Sequence, residues 1–503
     1  MAPVDSADGT HAAARQHWLG WDGRTLRWRV SAPAPVATEL CIDGCVFQRF
    51  DATADATHAL DFEFSPTGNT NLAFSLRASA GGTLGAAWRV RHGEAAEAGV
   101  DRWSGATLAL APLAGTPQLP DRAWARMPDV AVIVAIHNAA DSVRRCLAAL
   151  ARFTPPGVRW ILVDDASTDP AIAALLAQHA ASGHVRIERH AANRGYTSAV
   201  NSGIAAAGAS DVVLLNSDTE VGPRWLESLR LAAYADATVG TVTAVSDNAG
   251  AFSVPELEQY CPIPARWSLV EAQRAVLQQG GLRFPELPTG NGFCLFIKHE
   301  VVARIGAFDA EAFPSGYGEE NDFCQRAVAA GWRNVIAGNV LVRHERSASF
   351  GDARRATLGA QGMAVLRRRY PRYESDVGAT LYSFPRRVLD YRVRRSYAAD
   401  GSYAQRPPRA RVLLAGAADD TARRVAAAGD DAFVLMHDPL RLCEVREGGP
   451  SAVATAPHDA LAADVLKRWL IAWAIERVCA PATAAAAPVV AAAADLGIPV
   501  ADA

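Results

Sequence analysis

The chain reads as an α/β protein with a parallel core, preceded by a small β-rich segment and followed by a smaller α/β unit. Three observations carry that reading. Val130 to Ile136 (VAVIVAI) is an unbroken apolar run, the pattern of a strand buried on both faces. From there to about residue 215 such runs alternate with helix-period segments, which is the βαβ order of a parallel sheet. Each of four successive runs ends in a cluster of Asp, Asn, Ser or His, at the strand ends where ligands sit in such sheets.

The elements follow in chain order. Residues 1–125 are expected to form a β-sandwich-like accessory domain. Short period-two runs such as Leu26 to Val30, Leu60 to Phe64 and Ala87 to Val90 are separated by Gly, Pro and Asp. Six of the 12 Trp fall here, most simply as core or interface residues. Pro117 to Arg122 reads as the exit linker. In the central domain, 126–395, the first strand is followed by a helix over Val143 to Arg152, with Asp141 as its expected cap. Strand Trp160 to Val163, a helix capped by Asp169, strand Val185 to Glu188, a helix from Thr197 and strand Val212 to Leu215 complete the series. Residues 363 to 395 hold nine Arg, read as a solvated helical face or a contact for anionic headgroups or a diphosphate. Ser402 to Arg409 reads as a second linker. The last domain, 396–503, has apolar runs at Val412 to Ala415, Phe433 to Met436 and Ile475 to Cys479, the pattern of a small Rossmann-like unit. Its first turn, Gly416-Ala-Ala-Asp-Asp, lacks G-x-G-x-x-G, so a degenerate unit without chemistry of its own is expected.

Composition narrows the function. In 503 residues, 50 Lys+Arg against 53 Asp+Glu give a net charge of -3, which argues against a nucleic-acid-coating protein. The first residues lack a basic segment followed by an apolar run, so no secretory signal is expected. Val478 to Ala494 is uncharged but Ala-rich and holds Pro481 and Pro488, which makes it a poor membrane span. A cytoplasmic protein, with peripheral contact at the inner membrane, is the expectation. The eight Cys are sparse, and Cys41 and Cys45 have no partner pair at zinc-finger spacing, so reduced thiols are expected.

The strand-end residues are His137 and Asn138 after the first run and Asp164 and Asp165 after the second. Asn193, Arg194, Gly195 and Asn201 follow the third, and Asn216, Ser217 and Asp218 the fourth. Such a rim suits a nucleotide: carboxylates and amides for base and ribose, and a later Asp for a divalent cation on a diphosphate. No Walker A loop is present.

The segments V-I-V-A-I-H-N, I-L-V-D-D-A-S-T-D, N-R-G-Y-T-S-A-V-N-S-G and L-L-N-S-D-T-E-V, followed in order by T-G-N-G-F, G-Y-G-E-E-N-D-F-C-Q-R and V-R-H, resemble the family 2 glycosyltransferases of the GT-A fold. The later segments resemble the rhamnosyltransferase-like branch of O-antigen and capsule biosynthesis. The resemblance covers about 129 to 350. It implies a nucleotide-sugar site of Ala135, His137, Asn138, Asp164, Asp165, Asn193, Arg194, Gly195, Asn201, Asn216 and Ser217. Ala135 and His137 stand where the family often has Thr and Tyr, and N-S-D stands where it has D-x-D. The resemblance further implies Asp218 and His344 as ligands of Mg2+ or Mn2+, Gly290, Asn291 and Gly292 on the acceptor side, and Glu320 as general base with Glu319 as the alternative. Asp322 is expected to pair with Arg326. The implied activity is inverting transfer of a sugar from a nucleoside-diphosphate donor to a saccharide or lipid-linked saccharide, in bacterial surface polysaccharide biosynthesis. Two alternatives stay open at this point: a non-catalytic carbohydrate-binding scaffold, and a sugar nucleotidyltransferase, which would need a Gly-rich basic loop after the first strand.

Overall fold

The computed structural model describes backbone strands within residues 1–102 and, from residue 130 on, all residues except 258–259, 283, 346–351, 382–383, 402, 416–424, 426–428, 438–439, 447–448, 457–462, 484 and 503. The chain divides into two compact units, Met1–Gln118 with Asp400–Ser402, and Leu119–Ala399 with Tyr403–Ala503. In the first, Pro3–Val4, Ala87–Arg91, Asn71–Ala78, Thr38–Ile42 and Cys45–Phe50 form one antiparallel sheet. Ala56–Glu63, Thr25–Ala32, Gln16–Trp21 and Ala96–Arg102 form another. The linker expected at 117–122 lies outside the described residues.

The second unit is built on an eight-stranded mixed sheet. Its elements are β1 (Val130–Ile136), α1 (Ala140–Phe153), β2 (Arg159–Asp164), α2 (Pro170–Ala180), β3 (Val185–Arg189), α3 (Tyr196–Ala207), β4 (Asp211–Asn216) and β5 (Thr219–Glu220). After them come α4 (Trp225–Tyr234), β6 (Val239–Ser246), α5 (Leu269–Gln279), β7 (Cys294–Ile297), α6 (His299–Ile305), α7 (Glu319–Ala329) and β8 (Arg333–His344). The strand order is β3-β2-β1-β4-β7-β6-β8-β5. The first four strands run parallel, β7 is antiparallel to β4 and β6, β6 and β8 are parallel, and β5 pairs antiparallel with the end of β8.

Period-two alternation divides the apolar run of β1 between two cores. Val132, Val134 and Ile136 join Leu147 and Leu150 of α1 and Trp225 of α4, all buried. Ala131 and Ile133 face Ala199 and Ile204 of α3 and Phe323 of α7. Each such side chain contributes about 1.5–3 kcal/mol of burial. The approach of α3 to β1 is close: a Cβ at Gly203 would lie 2.3 Å from Ile133 Cγ2. Burial on both sides is what lets β1 remain a continuous apolar run.

Helix α1 begins earlier than the sequence suggests. Ala139, in the left-handed region at φ 57°, precedes it, and its carbonyl accepts from Val143 N at 3.1 Å. Asp141 is therefore inside the first turn, paired with Arg144, and is not the cap. Asp169 does cap α2, accepting from Ala171 N at 2.9 Å with Pro170 behind it.

Three helices follow the sheet: α8 (Asp352–Arg369), α9 (Tyr373–Leu381) and α10 (Phe384–Tyr397). Several of their arginines pair with carboxylates or carbonyls of this unit. Arg369 pairs with Asp309 and Asp322, Arg367 with Glu374, Arg372 with Asp376 and Arg394 with Glu256. Buried Arg386 pairs with Asp390 and donates to the Ala251 and Ser253 carbonyls, and Arg392 donates to Gly280 O. Arg369, Arg386 and Arg394 thus brace the loops around residues 250–256 and 309–322.

The C-terminal sheet contains β9 (Arg411–Ala415), β10 (Asp431–His437), β11 (Leu440–Arg446), β12 (Gly449–Ala456), β13 (Arg477–Cys479) and β14 (Val500–Ala501), with α11 (Ala463–Ala472) and α12 (Ala487–Asp495). Its order is β12-β11-β10-β9-β13-β14. The strands β10, β9, β13 and β14 are parallel, while β11 and β12 add an antiparallel meander absent from the sequence reading. The turn at 416–420 lies outside the described residues. Arg274 of α5 reaches this part through a two-pronged pair with Glu476, at 2.9–3.1 Å. None of the six described cysteines is in a disulfide. Among the described residues no helix is long and apolar enough to cross a membrane.

Candidate active site

The carboxyl ends of β1, β2 and β4 open on one rim. After β1 the chain turns through two left-handed residues, Asn138 and Ala139. That turn lets Asn138 Oδ1 accept from Thr168 N at 2.8 Å and Asp169 N at 3.0 Å, so the β1 and β2 turns are bound to each other. Asp164 closes its own turn, accepting from Ser167 N at 2.9 Å, and pairs with Arg189 at 3.0 Å.

Asp165 is buried and fully engaged. Its Oδ1 accepts from Arg194 N at 2.8 Å and faces His190 Nδ1 at 2.7 Å, while Oδ2 accepts from Gly195 N at 2.9 Å. The carboxylate thus holds the Asn193-Arg194-Gly195 turn in place. Gly195 is required there: at φ 85° its Cβ would fall 2.2 Å from Pro314 O. The exposed His137 ring donates from Nδ1 to Asp165 O at 2.9 Å, and Asn193 Nδ2 lies 3.1 Å from the same ring. The Arg194 guanidinium is exposed and has no ion pair among the described residues. Ala135 is half-buried and in register with Asn216 on β4. Asn201 stands apart from this rim: its amide is tied at both ends to Phe308, Nδ2 to the carbonyl at 2.8 Å and Oδ1 from the N–H at 3.0 Å.

On the other side of β4, Asn216-Ser217-Asp218 forms the turn into β5. Thr219 Oγ1 donates to Asn216 O at 2.7 Å and closes it. Because Thr219 pairs with His344, the turn lies against the end of β8, and Asp218 Oδ1 comes 3.4 Å from His344 Nε2. His344 is fixed three ways, two of them at its ring. Its Nδ1 is 3.0 Å from Asn248 O, its ring stacks on Phe293 at 5.5 Å and 17°, and the backbone N–H of His344 donates to Asp247 Oδ1 at 2.9 Å. A carbonyl at Nδ1 is bonded by that nitrogen's N–H, which leaves Nε2 as the nitrogen that faces Asp218 and could bind a metal. A carboxylate beside an imidazole suits one divalent cation of the Mg2+ or Mn2+ type, the rest of whose shell would be phosphate and water. Among the described residues no group of three or more His, Cys, Asp or Glu could hold a metal by itself.

Facing these residues is the start of α7. Glu319 and Glu320 are its first two residues, and Asp322 is in the same turn, where the helix dipole favours negative charge. Glu319 is buried, with Oε2 accepting from Gly318 N at 3.0 Å. Burial, then repulsion by Glu320, pushes its carboxyl well above the ordinary range. Burial raises Glu320 as well. Glu320 Oε2 is buried with no hydrogen-bond partner among the described residues. A carboxylate oxygen left so is costly unless a ligand completes it. Asp322 is fully engaged, by Arg326, Arg369 and Tyr370 at 2.7–2.9 Å.

The turn before β7 lies against this helix. Thr289 is buried, Asn291 Oδ1 accepts from Phe293 N at 3.1 Å, and the glycines allow tight contact. A Cβ at Gly290 would lie 3.0 Å from Cys324 Sγ, and one at Gly292 2.8 Å from Tyr196 OH. Tyr196, the first residue of α3, links the two sides of the cleft. Its hydroxyl donates to Asn216 Oδ1 at 3.1 Å and is 3.4 Å from Gly292 O. Burial, then the charges of Glu319, Glu320 and Asp218, raise its pKa.

Tyr196, Asp247 and Asn248 belong to the site but escaped the sequence reading. A signal existed for each. Tyr196 directly follows N-R-G, and Ser246-Asp247-Asn248 is a fifth polar strand end, at the close of β6.

Comparison with known proteins finds a family model that matches part of the chain. Residues 131–306 match the model described as Glycosyl transferase family 2. The match takes in the rim from β1 to Gly292 and ends before Glu319 and His344. The α/β core expected for this stretch, of the GT-A type, is the one observed. The chain is 31% identical over 252 residues to the pre-mycofactocin glycosyltransferase of Mycobacterium tuberculosis, covering 48% of each. It is 24% identical over 327 residues to the succinoglycan biosynthesis protein ExoU of Rhizobium meliloti, covering 61% of this chain and 92% of that one. A solved structure it resembles is the mannosyltransferase PcManGT from Pyrobaculum calidifontis in complex with GDP-Man and Mn2+. There the identity is 20%, the TM-score 0.37, and the coverage 61% of this chain and 81% of that one. The chain thus spans about half the length of the first of these relatives.

Proposed function

We propose that this chain is an inverting, divalent-cation-dependent glycosyltransferase. It moves a sugar from a nucleoside-diphosphate donor to a saccharide or lipid-linked saccharide acceptor during assembly of a bacterial surface polysaccharide. The motif order favours the rhamnosyltransferase-like branch. One observation carries the reading: buried Tyr196 feels the charges of Glu319 and Glu320 and also of Asp218, which lies 3.4 Å from His344, so a carboxylate–imidazole pair and a pair of carboxylates border one residue.

In this reading the turns held by Asn138, Asp164 and Asp165 receive the base and ribose, with His137 and Asn193 at their exposed edge. Arg194 pairs with the diphosphate. Asp218 and His344 hold the cation, which when bound offsets charge on the departing diphosphate. Ionised Glu320 takes the proton of an acceptor hydroxyl at Oε2 while that oxygen bonds to the anomeric carbon. The bond to the nucleoside diphosphate breaks on the opposite face, so one displacement inverts the anomer. Gly290, Asn291 and Gly292 shape the acceptor side.

A panel of UDP-, GDP- and dTDP-sugars, assayed for nucleoside diphosphate release with and without Mn2+ or Mg2+, tests the reading. Release with at least one donor and metal is expected. Glu320→Gln is expected to lower it about 10²-fold with donor affinity unchanged. No release from any donor with any metal and acceptor saccharide would favour the non-catalytic scaffold, and full turnover by the variant would remove Glu320 from its role.

A further inference from the structure

Glu320 has a positional problem. Its Oε2 is buried without a partner among the described residues, while the rest of the carboxyl is bonded by the backbone of Gly318 and Gly292 and by Glu319, so it is aimed only through the α7 entry and the acceptor-side turn. Its aim depends on how firmly the first turn of α7 is anchored, and the two residues that follow it are both gripped by the α8–α9 corner. Asn321 Nδ2 donates to Tyr373 OH at 2.8 Å and to Thr289 Oγ1, and those two hydroxyls are 3.1 Å apart. The triangle joins α9, α7 and the turn leading to Gly290–Gly292, and both Thr289 and Tyr373 are buried. Asp322 accepts from Arg369 Nη1 at 2.7 Å and Tyr370 OH at 2.9 Å. Phe313, Leu366 and Tyr373 form a small apolar core behind the corner. A Cβ at Gly362 of α8 would fall 1.7 Å from Tyr317 O, so the helix also lies directly on the loop entering α7.

We infer that Tyr373 is a positioning residue for the catalytic carboxylate: through Asn321 and Thr289 it locks the first turn of α7 to the acceptor-side turn, so that segment 352–381 completes the active site. The inference rests on Glu320 being the general base. Tyr373 touches no reacting atom in this account. The hydroxyl acts because three mutually bonded groups from three elements allow the turn little sideways freedom, and misplacement of a catalytic group by about 1 Å costs on the order of 10²-fold.

The groups facing Glu320 are Glu319 and Cys324 on α7, Tyr196 on α3 and Tyr373 on α9. Loosening the turn admits water to a carboxyl whose pKa burial has raised, and returns it toward the ordinary range. Tyr373→Phe keeps the ring in its core and removes only the hydroxyl. With the donor identified from the nucleotide-sugar panel, kcat is expected to fall about 10-fold or more. Donor KM should stay within about 2-fold, and the acid limb of the kcat–pH profile should move to lower pH. If Tyr373→Phe fails to fold, Asn321→Ala gives the same readouts with the tyrosine ring in place. A wild-type kcat and acid limb in the variant, alongside a disabled Glu320→Gln, would overturn the inference and leave the base assignment standing. Normal turnover by Glu320→Gln would overturn both.

Discussion

Asp165 offers the sharpest separation between holding the site and touching the ligand. Both its oxygens are occupied, by Arg194 N, Gly195 N and His190. Replacement by Asn keeps the shape but leaves one oxygen. That oxygen can serve Arg194 N and His190, and the new NH2 then faces the Gly195 N–H, donor against donor. A buried N–H left without an acceptor costs about 1–3 kcal/mol, so Asp165→Asn is expected to lower stability by about 2 kcal/mol. Asp165→Ala orphans all three groups and is expected to cost about 4 kcal/mol, allowing for partial rehydration of the turn. Urea denaturation with no nucleotide present measures this, as a lower midpoint at unchanged slope. If Asp165 served only to contact a bound base, Asp165→Asn would be as stable as wild type and lose nucleotide affinity alone. A stability change under about 0.5 kcal/mol would refute the loop-holding role.

The remaining predictions concern the acceptor side. Burial raises the Glu319 carboxyl above its unfolded value, so the folded state binds more protons than the unfolded chain once pH exceeds the ordinary Glu range. Stability that this group provides at low pH is therefore lost as pH rises through the folded pKa. Glu319→Gln, a mimic of the protonated acid, is expected to be more stable than wild type at pH 8 and no more stable at pH 4, read as denaturant midpoints. An equal difference at both pH values would contradict the sign. Gly292→Ala places a methyl 2.8 Å from Tyr196 OH and is expected to displace the tyrosine from Asn216, at a cost of about 1–3 kcal/mol. Its donor turnover should fall while the circular dichroism spectrum is kept, and wild-type turnover would show that the Tyr196–Asn216 contact is dispensable.

The sheet was the most legible part of the sequence. A strand buried on both faces shows as an unbroken apolar run, and β1, β2 and β4 were found to within a residue or two at each end. The start of α1 was not legible, because Ala139 enters it in a left-handed conformation and no side chain marks that choice. The β11–β12 meander was missed for another reason. Leu440, Leu442 and Val445 alternate with Arg and Glu, a weak signal beside the Ala-rich helices around it. In the site, the residue types at the strand ends were readable, but what each side chain would spend its bonds on was not. Asn201 sits in a motif of ligand-type residues yet serves Phe308, a partner 107 positions away. Tyr196 is aromatic and looks like core, and only the fold places its hydroxyl between Asn216 and Gly292. The arginines of 363–395 look like one basic patch in sequence, whereas Arg367 and Arg372 pair with carboxylates of their own stretch and Arg369, Arg386 and Arg394 also reach loops that only the tertiary structure brings near.

The central claim is that Asp218 and His344 jointly hold a cation that carries a nucleoside diphosphate. Calorimetric titration of wild type and His344→Ala with UDP and with GDP, each in Mn2+ and in EDTA, tests it most directly. Binding of one nucleotide is expected to depend on Mn2+ and to weaken at least about 10-fold in the variant, the scale on which disturbing a metal site acts. Equal affinity in EDTA, or an unweakened His344→Ala, would contradict it.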